Sequence, residues 1–265
     1  MKNTLWIFGD SFSWDYKIRK ENNDPQLRYP GSNDQGWDYI QEHLNGKIFD
    51  SWGEQLSRNI GYNYINHASY QTKYKIENLW DGNCNDTVNL NLLNEFSSDF
   101  KKGDVVIVGL TDPTRSIWMD GDTAISLNAG QIETENFKDS INDYLIQLDN
   151  PYWLYNFLQK LKCFETLSEI VGFDLWYWDW GGQWDELILK KGLPNDRWIF
   201  HHAHPNYKNY GNMIWEDYKS GPICWETNYE NPDSHMGKVG HKIHADVLTN
   251  YLLHKKPCLD FINFI

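Results

Sequence analysis

The chain of 265 residues is 40% hydrophobic, enough to build a core and too much for a disordered polymer. A net charge of −13 excludes the basic surface that a nucleic-acid partner needs, and no apolar run approaches the ~20 residues of a membrane helix. Cys84, Cys163, Cys224 and Cys258 lie far apart with no CxxC pair, which excludes a zinc ribbon or dithiol redox motif and fits reduced thiols.

The first predicted element is a strand in TLWIFGDS. Its apolar run stops at Gly9, and Ser11 follows two residues later. This segment lacks the apolar core and small-residue cleavage site of a signal peptide, so a cytoplasmic location is expected. Residues 14–50 read as a long polar insertion containing NNDPQLRYPGSNDQG. DSWGEQLSRNIG predicts a helix capped by Asp50 or Ser51 and ended by Gly61. YNYINHAS, Tyr62 to Ser69, predicts the second strand. DTVNLNLLNEFSSDFKKG predicts a helix whose C-terminus suits Lys101 and Lys102.

GDVVIVGLTD, Gly103 to Asp112, is the clearest strand. PYWLYNFLQKLKCFETLSEIVG predicts a long helix that Pro151 starts and Gly172 ends. GFDLWYWDWGG, Gly172 to Gly182, predicts a fourth strand, and DRWIFHH, Asp196 to His202, a fifth. The aromatic run in the fourth strand reads as core packing ahead of a sugar-stacking platform. Residues 201–232, rich in Asn, Gly, Pro and Tyr, read as a second long insertion. GKVGHKIHADVLTNYLLHK predicts a closing helix with Val239, Ile243, Val247 and Leu248 on one face.

Strands alternating with helices predict a single α/β domain over residues 1–265, with a parallel sheet covered on both faces. Sites in such sheets lie beyond the carboxyl ends of the strands. Ser11, the segment Asn66 to Thr72, and Thr111 would then share one edge.

A serine nucleophile needs a base, an orienter for that base, and donors for the oxyanion. Two histidine regions are candidates. His201, His202 and His204 have no acid immediately upstream and no closing helix after them. His235 has Asp233 two residues before it and a helix soon after, so one loop could deliver base and orienter together. His241 and His244 lie one helical turn apart, but His244 falls on the apolar face and reads as a core histidine. No metal site is expected, since neither H-E-x-x-H nor a cysteine pair is present.

GDSF after an N-terminal strand, with DSHMGKVGH leading into the last helix, resembles the SGNH (GDSL) hydrolase family. The resemblance covers the elements from residue 4 to about 112 and from about 172 to 252, leaving both insertions outside. It implies a three-layer α/β/α flavodoxin-like fold and hydrolysis of acyl esters without a cofactor. Carried over, Ser11 matches the nucleophile, His235 the base and Asp233 its orienter. The step from His235 to Gly240 also matches. The second block has no glycine, so Ser69 or Tyr70 would supply its oxyanion N–H. In the third block, GLTD puts Thr111 where the family has an asparagine amide. Arg115 is a candidate substrate-positioning charge or a structural residue. The expected substrate is a small-molecule or glycan ester carrying a small acyl group such as acetyl. The alternative is an SGNH-like fold kept as a binding or structural module, with weak or no turnover.

Overall fold

In a computed structural model of the chain, the structure describes residues 2–9, 13–21, 40–41, 44–68, 90–110, 116–120, 123–127, 151–179, 197, 199 and 238–254. In order these give β1 (Thr4–Phe8), α1 (Tyr16–Glu21), α2 (Trp52–Ile60), β2 (Asn63–Asn66), α3 (Leu90–Glu95), a 3-10 turn (Ser97–Asp99) and β3 (Val105–Leu110). β4 (Ser116–Asp120), β5 (Thr123–Leu127), α4 (Pro151–Val171), β6 (Asp174–Asp179) and α5 (Lys238–His254) follow. Four strands form an all-parallel sheet in the order β2–β1–β3–β6, which makes this an α/β fold. Among the described residues, no helix is long and apolar enough to cross a membrane.

Alternate strand residues serve opposite faces. Leu5, Ile7, Val105 and Ile107 pack with Trp52 and Leu56 of α2 and with Ile243, Val247 and Leu248 of α5. Trp6, Phe8, Val106 and Val108 pack with Leu93 of α3 and with Phe157 and Leu161 of α4. All six residues of β3 are buried, which is why its sequence is continuously apolar rather than alternating. Each such side chain contributes about 1.5–3 kcal/mol on burial.

Both helices over the first face run back along the sheet from its carboxyl edge. α2 starts at the Ser51 cap, whose Oγ accepts from Glu54 N at 3.2 Å. It ends at Gly61, left-handed at φ 76°, a conformation that costs glycine nothing. α5 lies beside α2 in the same direction. His241 Nδ1 accepts from Trp52 N at 3.0 Å, and Asn59 Nδ2 donates to Thr249 Oγ1 at 2.9 Å. The amino edge is closed by buried Asp104, which accepts from Thr4 N at 2.8 Å and Trp6 Nε1 at 3.0 Å.

Three differences from the sequence reading have physical causes. The region taken as a polar insertion contains α1, with Tyr16 and Arg19 buried, and Ile40, fully buried. Asp15 caps α1, its Oδ1 accepting from Lys17 N at 2.9 Å and Ile18 N at 3.3 Å. The helix expected before β3 breaks after Glu95 into the 3-10 turn, leaving Lys101 and Lys102 beyond it. Ser97 Oγ donates to Asn94 O at 2.7 Å, the local competition that makes serine a helix breaker. β4 and β5 form an antiparallel hairpin closing at Asp120↔Thr123. Its signal, Gly121-Asp122 between two short strands, is a hairpin dipeptide. Of the fifth strand, Arg197 and Ile199 are described. Tyr177 N donates to Arg197 O and Ile199 N to Tyr177 O, both at 2.9 Å, the two bonds of a parallel bridge along β6.

Candidate functional site

Ser11, Ser69, Tyr70, Thr111, Arg115, Asp233 and His235 lie outside the described residues, as do His201, His202 and His204. The structure fixes their flanks. Gly9 precedes Ser11 by two residues and Ser13 follows it by two; Ala68 adjoins Ser69, Leu110 adjoins Thr111, and Lys238 follows His235 by three. Gly9, Ala68 and Leu110 follow or end the three adjacent strands β1, β2 and β3 at one edge. A bond from His67 N to Ile7 O at 2.8 Å carries the β2–β1 ladder to that edge. The α5 start is pinned there too, through His241 on the first residue of α2.

The chain connects β1 to β2 on one side and then crosses over β1 to reach β3. The β1–β3 gap is therefore the topological switch point, where open α/β sheets hold their ligands. Here the two strands leave with glycines. A Cβ on Gly9 would collide with Ser13 Oγ and lie 3.3 Å from Gly109 Cα. A Cβ on Gly109 would meet Trp178 Nε1 at 2.7 Å and Ser13 Oγ at 2.8 Å. Side chains at either position would push the chain after β1 away from the sheet, so both glycines are required by close approach.

That chain is then tied down by a buried polar network. The Asp15 carboxylate, 1% exposed, accepts from Ser51 Oγ at 2.7 Å and Tyr64 OH at 3.1 Å in addition to capping α1. Asn66 Nδ2 donates to Ser13 O and to Tyr64 OH, each at 2.8 Å. Burial, then the adjacent Asp15 charge, pushes the Tyr64 phenol well above its ordinary pKa, so it remains a neutral donor. Outside this network, Lys17 pairs with Asp50 and with Glu54 at 2.8 Å, and Arg58 pairs with Asp50. The Lys17 ammonium holds Asp50 below the usual carboxylate range against partial desolvation, with Arg58 assisting. These pairs are a third or more exposed at most of their ends and contribute little stability.

Two histidines at this edge are held neutral. His244 is fully buried, as its place on the apolar face predicts, with ring centroids 5.0 Å from Trp52 and 4.7 Å from Trp178. Burial and then His241 push its pKa well down. His67 stacks on Phe96 at 3.9 Å and Phe8 at 5.0 Å, and burial lowers its pKa from 6.5 to about 4. Neither is disposed to serve as a base at neutral pH. Sequence reasoning missed Asp15, Tyr64 and Asn66 as anchors. The one local signal was Asp15 in a capping position before YKIRKE.

Comparison of the chain with family models, with curated proteins and with solved structures returns no match.

The His67 shift fixes the sign of an acid effect. Its folded pKa is depressed, so its contribution is complete above pH 6.5 and is lost as pH falls through about 4, because between these values the unfolded chain binds the proton and the folded chain does not. Urea unfolding across that window should show a loss of up to about 3 kcal/mol from this group. His67→Phe should flatten the slope; an unchanged slope would contradict the assignment.

Proposed function

We propose that the chain is a serine hydrolase of the SGNH type, with a flavodoxin-like three-layer α/β/α fold, cleaving acyl esters. The observation that carries this reading is the β1–β3 switch point. There Gly9, the first residue of the GDSF segment, packs against Gly109 of β3, and the chain just after the segment is bound down through Ser13 and Asp15. Chain length alone keeps Ser11 within about 7 Å of Gly9 and His235 within about 11 Å of Lys238. Both tethers start from the same edge of the sheet.

In this mechanism His235 takes the Ser11 hydroxyl proton as Oγ attacks the ester carbonyl, and Asp233 orients the imidazole and stabilises its charged form. The Ser11 N–H, the N–H of Ser69 or Tyr70 and the Thr111 hydroxyl receive the oxyanion. The protonated His235 gives its proton to the leaving alcohol, and water then releases the acyl group by the same route. Arg115 positions the substrate. No step calls for a cofactor. The aromatic, Asn-rich composition of residues 14–50 and 201–232 favours a small acyl group, acetyl, on a carbohydrate. Thr111 in place of the family's amide supports the second reading, a binding module without turnover.

A fluorophosphonate probe separates the two. The hydrolase reading expects one adduct by intact mass, mapped to Ser11 and lost in His235→Ala; folded protein without an adduct selects the binding module. For the substrate class, esters of increasing acyl length should be turned over fastest at acetyl. A preference for long chains would overturn that part.

A further inference from the structure

The chain leaves β2 with two neighbouring residues held on opposite faces of the sheet. Asn66 serves the first face, where its Nδ2 donates to Ser13 O and Tyr64 OH, each at 2.8 Å. His67 serves the other face and is buried. Its ring stacks on Phe96, 3.9 Å away with 22° between the planes, and on Phe8, 5.0 Å away with 25° between them. Trp6 lies nearly parallel to it at 6.0 Å and 13°. Phe96 joins α3 to the 3-10 turn, and Phe8 is the last residue of β1, next to Gly9. The His67 N–H donates to Ile7 O at 2.8 Å. The end of β2 is therefore fastened to the end of β1 twice, through the backbone and through the ring.

Burial outweighs the nearby Glu95 and Asp99 charges and keeps this imidazole neutral at neutral pH, so the ring packs as a flat aromatic. Each residue beyond a strand adds two soft dihedrals, so a group further along is placed only if the exit is held. Ser69 is two residues past His67 and therefore within about 7 Å of it. An oxyanion donor works at about 2.7–3.1 Å from the oxygen, which makes the direction in which the chain leaves β2 matter to the rate. The ring that sets this direction also packs on the residue preceding GDSF.

We propose that His67 is a positioning residue for the oxyanion hole: stacked on Phe8 and Phe96, it registers the Ser69–Tyr70 backbone against the Ser11 turn. This role rests on the hydrolase reading and adds to it a residue that acts through the backbone, with no proton transfer of its own. Asn66 and His67 then divide the work. Asn66 ties the chain after the nucleophile to β2, and His67 ties the donor segment to β1 and to the turn after α3.

The test is fluorophosphonate labelling of the intact chain, followed by mass for both rate and final extent. His67→Ala should reach the same final extent about tenfold or more slowly, since a donor misplaced by about 1 Å costs that much. His67→Phe, which keeps the flat ring, should recover most of the rate. A rate in His67→Ala equal to that of the unsubstituted chain would overturn the proposal. So would a lower final extent at an unchanged rate, which is what loss of folded protein alone produces. A His67→Phe rate as slow as that of His67→Ala would assign the effect to the ring nitrogens and overturn the stacking role. Absence of any adduct on the unsubstituted chain would remove the hydrolase reading itself, a result distinct from all of these. If His67→Ala does not fold, Phe96→Leu removes the stacking partner and should slow labelling in the same way.

Discussion

The buried carboxylate of Asp15 is the constraint on which the carboxyl edge depends. A charge removed from water is tolerated only when its lone pairs are met. Here two backbone N–H groups of α1, the Ser51 hydroxyl and the Tyr64 hydroxyl meet them. One side chain thereby starts α1, braces the Ser51 cap of α2 and reaches β2. Asn66 extends the same network to the Ser13 carbonyl. The chain that leaves β1 is thus fixed on its far side by hydrogen bonds and on its near side by the contact of Gly9 with Gly109 and Ser13. A catalytic turn benefits from such support, since a misplacement of about 1 Å can cost on the order of 100-fold in rate.

The second constraint is topological. Crossing from β2 over β1 to β3 opens a crevice where β1 and β3 end, and the helices on the first face begin at that edge. His241 connects them at that edge. Its ring nitrogen meets the first N–H of α2, one that no helical carbonyl can satisfy, so the helix following the DSH segment is registered against the helix preceding β2. The edge therefore has a fixed frame even though the proposed catalytic groups are carried by segments attached to it.

What was legible in the sequence was local. β3 could be read because both of its faces are buried, and α4 because Pro151 and Gly172 punctuate it. The Gly61 stop of α2 was equally plain. His244 could be assigned to the core from helical spacing alone. What was not legible depended on partners distant in sequence. Asp15 looks like one more acid in a polar stretch until Ser51 and Tyr64 are brought to it. Trp178 gives no hint that its indole edge fills the space left by Gly109. The site residues named from GDSF and DSHMGKVGH come from motif resemblance, and their flanks are what the fold adds.

In the proposed hydrolase, the Asp15 network presents Ser11 as the nucleophile. The direct measurement is the rate of fluorophosphonate labelling at Ser11 in Asp15→Asn against the unsubstituted chain, below the unfolding transition of both. Labelling of the unsubstituted chain is expected, slowed in the variant by about tenfold or more, equivalent to about 1.4 kcal/mol of lost positioning. Equal rates in the two proteins, or no labelling of either, would contradict it.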